Sequence, residues 1–270
     1  MDKNQYSSFY ELYTKTSRPV ITAHGTYIGH HPENSIQGIQ ASVDAGCDFV
    51  EFDVRTCKDG VPVLIHDTSP ERTALVTGTI KEFTLAELEK MNFSHYEYFV
   101  DCSGRTLDHP LEKLCPIARL ETVFARFASQ IFLNIQIYEQ DLLGLQTICG
   151  MFKEFDLYER GYFTMLNFKE AEKIRAIDPN IELCVLNRPT DTSRTTIAML
   201  HDFHDFGTRF AQPRWYDITP EYCQESHKLG IFSNVYYANY IRDAKHFIEC
   251  GIDGILTDYP DVIIPFVKQD

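Results

Sequence analysis

Residues 49–67 read Phe-Val-Glu-Phe-Asp-Val-Arg-Thr-Cys-Lys-Asp-Gly-Val-Pro-Val-Leu-Ile-His-Asp, and the fold follows from this stretch. Phe49–Val54 is short, aromatic and β-branched, which reads as a strand. Lys58-Asp59-Gly60 is a turn, and Val61–Ile65 is a second extended run. A parallel crossover needs a dozen or more residues, so two runs this close form an antiparallel hairpin. Glu51 and Asp53 are two apart and share a face of the strand. Solvent-facing acids would be the plainer reading, but Phe49, Val50, Phe52 and Val54 around them are apolar. Two like charges side by side in an apolar setting are unfavourable unless a cation lies between them. A hard divalent ion takes oxygen ligands. His66-Asp67 closes the hairpin, and Asp67 could orient the imidazole or cap the next turn.

Outward from this hairpin the pattern repeats. Before it, Val20–Ala23 is a strand ending at His24, and Asn34–Ala45 has helical spacing terminated by Gly46. After it, residues 67–116 form a loop-rich insertion with one clear helix, Leu85–Met91, behind Thr84 as N-cap. The alternation then resumes. Strands are expected at Ile131–Ile137, Tyr162–Leu166, Glu182–Leu186, Thr208–Gln212, Ile231–Tyr236 and Gly254–Thr257. Helices are expected at Leu120–Ala128, Leu142–Phe155, Lys169–Ile177, Thr195–Phe203, Pro220–Leu229 and Ile241–Cys250. Eight strands, most followed by a helix, predict an α/β chain folded as one (β/α)8 TIM barrel over residues 1–270. A doubly wound open sheet is the alternative. Neither GxGxxG nor GxxxxGK[ST] follows any strand, which argues against a nucleotide site.

Composition narrows the function. The chain has 270 residues, 44% of them hydrophobic, enough for a substantial core. Lys plus Arg is 25 against 39 Asp plus Glu, a net charge of -14. That speaks against nucleic acid and anionic membrane surfaces as partners, and leaves a small anionic molecule possible at a local positive site or metal. Eight scattered cysteines without a CxxC pair predict reduced, buried thiols and a cytoplasmic setting. The polar N-terminus has no signal-peptide core, and no apolar run is long enough to span a membrane.

In a barrel the chemistry sits at the C-terminal ends of the strands. His24, Glu51, Asp53 and His66 all fall there. A neutral and a charged imidazole can take and give a proton, which suits phosphoryl chemistry. At this point the residues resemble a known family. His24, Pro32-Glu33-Asn34-Ser35, Ala45-Gly46, Glu51-x-Asp53, Thr56-x-Lys58-Asp59-Gly60 and His66-Asp67 look like the signature of glycerophosphodiester phosphodiesterases. Gly251-Ile252-Asp253-Gly254-Ile255-Leu256-Thr257-Asp258-Tyr259-Pro260-Asp261 resembles that family's closing strand, and Asn239 falls at its conserved-type asparagine after a strand. The resemblance implies a barrel with an insertion after His66-Asp67, and metal-dependent cleavage of a phosphodiester bearing a neighbouring hydroxyl. It implies His24 and His66 as the acid/base pair, and Glu51, Asp53 and the residue at 136 as ligands of one divalent ion (Mg2+, Ca2+ or Mn2+).

The chain departs from that pattern in three places. Its His-Arg-Gly is His24-Gly25-Thr26, without the arginine. The metal-binding glutamate and the lysine after it are Gln136 and Tyr138. Gln136 could still ligate through its carbonyl, but more weakly. Arg55, on the face of Glu51 and Asp53, is a candidate replacement cation for phosphate, and Tyr138 a candidate hydrogen-bond donor. Glu33 and Asn34 are expected to buttress the site, Asn239 and Tyr236 to meet substrate, and Tyr237 and Trp215 to extend an aromatic wall suited to a sugar ring. His30 and His31 could reach the mouth. The altered contacts suggest a sugar-linked diester, as in the agrocinopine branch of the family. Two further readings remain: a phosphodiester-forming transferase or synthase, and a catalytically weak sugar-phosphate-binding protein.

Overall fold

The structure, a computed structural model, describes residues 6–95, 101, 103–104, 114–187 and 194–268. Its strands are β1 (Val20–Ala23), β2 (Phe49–Thr56), β3 (Pro62–Leu64), β4 (Ala118–Arg119), β5 (Phe132–Ile137), β6 (Gly161–Met165), β7 (Leu183–Val185), β8 (Phe210–Ala211), β9 (Phe232–Tyr236) and β10 (Gly254–Thr257). Eight of them, β1, β2 and β5 to β10, are parallel in sequence order. The ring closes where β1 pairs with both β10 (Val20 opposite Gly254) and β2 (Thr22 opposite Phe49). Helices at Ile36–Ala45, Leu120–Phe127, Leu142–Glu154, Phe168–Ile177, Ile197–Phe206, Pro220–Lys228, Ile241–Cys250 and Pro260–Val267 cover its outside. This is the expected (β/α)8 barrel. β3 and β4 are the excursion: β3 runs antiparallel to the end of β2 (Val54 opposite Leu64), and β4 antiparallel to β3.

Between β3 and β4 the chain builds its own small core from Ile65, Ile80, Leu88, Phe93 and Ile117 against Cys57 and Val63. The helix expected at Leu85–Met91 spans only Leu85–Leu88, held by a reciprocal Thr84–Glu87 capping box. It stops because the chain must turn there to seat Phe93, whose N–H donates to the Cys115 carbonyl at 2.7 Å.

The bottom of the barrel is plugged by a helix that the sequence reading missed, Phe9–Lys15. Its Phe9, Leu12 and Tyr13 pack onto Phe49, Phe132, Tyr162 and Phe210 from the strands' N-terminal ends. Tyr162 and Phe210 stack at 4.7 Å. Above this aromatic layer the interior turns polar, with most of its side-chain groups paired to one another, although Asn234 Oδ1 is buried without a partner among the described residues. The Thr164 hydroxyl donates to Asn134 Oδ1 at 2.6 Å, Asn134 Nδ2 to Gln212 Oε1 at 3.3 Å, and Asn234 Nδ2 to the Thr22 hydroxyl at 3.4 Å. A dry bottom and a polar middle leave one end, the C-terminal one, to open onto solvent. All seven described cysteines are buried and unbridged. Among the described residues, no helix is long and apolar enough to cross a membrane.

Candidate active site

A cavity of about 640 Å³ opens at the C-terminal end of the barrel. Its floor is the pair read from β2. Glu51 and Asp53 are buried, and the protein holds one oxygen of each: Gly25 N–H donates to Glu51 Oε2 at 2.8 Å, and Asn34 Nδ2 to Asp53 Oδ2 at 2.9 Å. Asn34 also accepts from the Asp53 N–H at 2.8 Å through Oδ1. Bending the loop after β1 back over β2 in this way needs unusual backbone. Gly25 has φ +51, and Thr26, at the position of the family's glycine, sits at φ +69. A β-branched residue there is strained. The Thr26 hydroxyl, in return, accepts from Ser35 N–H at 3.1 Å.

Burial, and then the neighbouring Asp53, push Glu51 up to about 7, although His24 pulls the other way. A buried carboxylate pair that resists double ionisation fits a cation. Glu51 Oε1 and Asp53 Oδ1 accept no hydrogen bond among the described residues. Gln136 on β5 lines the same cavity; its Nε2 donates to the Tyr138 hydroxyl, so the carbonyl oxygen is the atom that would be offered to a cation. Among the described residues, no group of three or more His, Cys, Asp or Glu side chains is arranged for a metal. Two carboxylates and one amide would offer hard oxygen donors with one charge fewer than three acids would bring.

The two histidines stand on either side of this floor, each gripped at Nδ1 by a carboxylate. His24 Nδ1–H donates to Asp258 Oδ1 at 2.7 Å, and Asp258 is fully buried. Asn239 holds Asp258 in turn, its Nδ2 donating to Oδ2 at 2.6 Å while its Oδ1 accepts from the Asp258 N–H at 2.9 Å. His24 Nε2 faces the cavity 4.0 Å from Glu51 Oε2. Across from it, His66 Nδ1–H donates to Asp67 Oδ1 at 2.7 Å. Arg72, from the insertion, donates to Asp67 Oδ2 at 2.6 Å and forks onto both oxygens of Glu33 at 2.7 and 2.8 Å. Burial pushes Asp67 up, but the His66 and Arg72 bonds outweigh it and hold the carboxyl far below the usual range. The Asp67 bond raises His66 to about 8, against desolvation.

The remaining expectations divide. Tyr138 and Tyr236 line the cavity. The Tyr138 hydroxyl lies 3.1 Å from His66 Nε2, and burial with Asp53 and Glu51 nearby keeps it protonated. The Tyr236 ring packs edge-on against His24 at 5.3 Å. Arg55 is not a lining residue. Its Nε donates to the His66 carbonyl at 2.9 Å, another nitrogen to the Tyr138 carbonyl at 3.3 Å, and it stacks over the Tyr138 ring. Strand parity gave it the right face, but its long side chain turns to two backbone acceptors. Asn239 is buried behind His24 and holds Asp258, so it does not meet the cavity. Trp215 is half exposed against Tyr216, and Tyr237 packs on Tyr236; neither lines the cavity. His30 pairs with Asp261 at 3.3 Å and His31 packs on Tyr27, both outside it.

The sequence reading also missed residues. Asp258 carries His24, and the signal was present: it is the acid immediately after the last strand. Arg72 links both loops flanking the floor. Asn167, Asn187, Gln212 and Arg214 form the far wall, at the ends of β6, β7 and β8. All follow strands that the sequence had located.

Residues 24–262 match the Glycerophosphoryl diester phosphodiesterase family. A curated glycerophosphodiester phosphodiesterase of Caldanaerobacter subterraneus subsp. tengcongensis is 25% identical over 93% of this chain and 99% of its own. A putative glycerophosphodiester phosphodiesterase of Bacillus subtilis is 27% identical over 93% and 98%. Among solved structures, a putative glycerophosphoryl diester phosphodiesterase from Silicibacter pomeroyi superposes with a TM-score of 0.83 at 22% identity, over 93% of this chain and 94% of that one. An Oleispira antarctica phosphodiesterase in complex with the product sn-glycerol-3-phosphate gives 0.74 at 19%, over 93% and 98%. With its barrel, its facing histidines and a match over nearly its whole length, this chain belongs to the glycerophosphoryl diester phosphodiesterase family.

Proposed function

We propose that this protein hydrolyses a phosphodiester that carries a hydroxyl next to the ester oxygen, with His24 and His66 as the acid/base pair. The observation that carries the reading is the symmetry of the two imidazoles. Each is fixed at Nδ1 by a carboxylate, so each presents Nε2 to one cavity floored by Glu51 and Asp53. His66, raised to about 8, is charged at neutral pH and is the donor; His24 is the acceptor. In the first step His24 takes the proton of the neighbouring hydroxyl, whose oxygen attacks phosphorus. His66 gives its proton to the departing alcohol, and a cyclic phosphodiester remains. The roles then reverse: His66 deprotonates water, the water oxygen opens the ring, and His24 returns its proton to the regenerated hydroxyl. The net reaction consumes one water and yields a phosphomonoester and an alcohol.

Glu51, Asp53 and the Gln136 carbonyl are the residues that would hold a divalent ion, which would supply positive charge to the phosphoryl oxygens as negative charge grows there. The size of the cavity and its far wall of Asn167, Asn187 and Gln212, with Tyr236 beside His24, support a polyhydroxylated, sugar-like alcohol. Buried free thiols support a reducing, cytoplasmic location. The test is product analysis on glycerophosphocholine, glycerophosphoinositol and sugar phosphodiesters, with EDTA and with added Mg2+, Mn2+ or Ca2+. Cation-dependent release of a phosphomonoester, lost in both His24→Ala and His66→Ala, is expected. Wild-type rates in either variant would break the acid/base assignment, and faster cleavage of plain glycerophosphodiesters than of every sugar diester would remove the sugar reading.

A further inference from the structure

Among the described residues lining the cavity, Arg214 is the one lysine or arginine. Arg55, Arg72, Lys81 and Arg194 do not line it. Arg214 stands just past β8, and its backbone pairs with Tyr236, the residue whose ring packs on His24. The segment is pinned on both sides. Tyr236 N–H donates to the Pro213 carbonyl at 2.7 Å, and Asp217 N–H to the Arg214 carbonyl at 2.9 Å. The side chain therefore leaves a rigid backbone beside the His24 wall.

The charge inventory gives it work. Glu51 and Asp53 on the floor bring negative charge that the ion they would hold must first offset. Of the described lining residues, only the two imidazoles and Arg214 can answer a phosphodiester with positive charge. The imidazoles exchange protons during the reaction, so their charge is not constant. A guanidinium is charged throughout and presents a planar fork that matches two phosphoryl oxygens. We propose that Arg214 binds the oxygens of the reacting phosphoryl group and is the fixed positive charge that holds it in the cavity. This rests on the phosphodiesterase reading above.

The test compares wild type with Arg214→Gln, Arg214→Lys and Arg214→Ala on glycerophosphocholine and glycerophosphoinositol, with calorimetric titration of sn-glycerol 3-phosphate alongside. Loss of a donor to a developing oxyanion is worth about a hundredfold, so kcat/KM should fall by about that much in the Gln variant on both substrates. Lys, which keeps the charge without the fork, should lose about tenfold. Added guanidinium should restore part of the Arg214→Ala rate and leave wild type unchanged, which a purely structural arginine would not allow. Unchanged kcat/KM in the Gln variant on both substrates would overturn the proposal. If wild type cleaves no diester at all, the phosphodiesterase reading falls instead. The titration then still decides Arg214: weaker sn-glycerol 3-phosphate binding in the Gln variant supports its role, and equal binding refutes it.

Discussion

Asp258→Asn keeps the shape of the side chain and removes one buried charge. In the protein, Asp258 accepts from two side chains at once, from His24 Nδ1–H at 2.7 Å and from Asn239 Nδ2 at 2.6 Å. An asparagine has only one accepting oxygen. If it faces Asn239, its amide N–H₂ meets His24 Nδ1, and the imidazole must move its proton to Nε2 or leave two donors opposed. The Nε2–H tautomer cannot take a proton from a substrate hydroxyl. Even if the tautomer survives, the imidazolium formed in the first step loses its carboxylate partner. A hydrogen bond to a charged group is worth about 1.5–3 kcal/mol, which is about a ten- to hundredfold loss of kcat. Asp258 is fully buried, so a stranded donor should also lower stability by about 1–3 kcal/mol. Steady-state kinetics, thermal unfolding and 15N NMR of the histidine ring nitrogens would read all three effects. A variant with wild-type kcat and with His24 still protonated at Nδ1 would refute the reasoning and remove Asp258 from the site.

Other outcomes follow from the same geometry. Because His66 is raised from 6.5 to about 8 chiefly by Asp67, its bond stabilises the fold fully below about 6.5, and that gain is lost as pH rises through about 8. Asp67→Asn should erase this dependence in thermal melts taken across that window and move the alkaline limb of the rate profile downward; an unmoved limb would deny His66 the donor's role. With Glu51 near 7, cation binding must expel a proton below that pH, so Mn2+ affinity measured by calorimetry should weaken by about tenfold per unit of acidification, and a flat profile would place the ion elsewhere. Phe9→Ala should cost about 3–5 kcal/mol by opening the barrel's bottom while leaving KM unchanged in the folded fraction. Gly29→Ala would bring a Cβ to 2.1 Å from the Asp258 carbonyl oxygen, so the loop or Asp258 must shift, and kcat should fall together with Tm.

The barrel was legible because its strands are spaced by helices and its hairpin is too tight to be anything else. The floor was legible because two acids at i and i+2 among apolar residues point one way. What failed were inferences about direction beyond the backbone. Arg55 shares the face of Asp53, but a long side chain can curl onto carbonyls, and parity says nothing about that. Asn239 sits at a strand end, yet its amide turns inward to Asp258. Residues whose role depends on ring closure, Asp258 above all, had no local signal beyond their place after a strand. The Phe9–Lys15 helix was overlooked because its seven residues look polar at a distance. Ser8, whose side chain accepts from the Glu11 N–H, and Glu11 three positions on are the start signal that would have revealed it.

The bond between His24 and Asp258 joins residues 234 positions apart. It exists only when β10 has docked against β1 and the ring is shut. A ribosome delivers the two ends of such a ring separately, so the growing chain carries both histidines and both floor carboxylates long before it carries the carboxylate that grips His24. On the proposed mechanism the same seam that completes the cylinder also completes the proton acceptor, and a half-made or locally opened copy lacks the carboxylate that holds His24. A circular rearrangement of the gene that cuts elsewhere in the ring would make β10 and β1 neighbours in the chain and should lose this property.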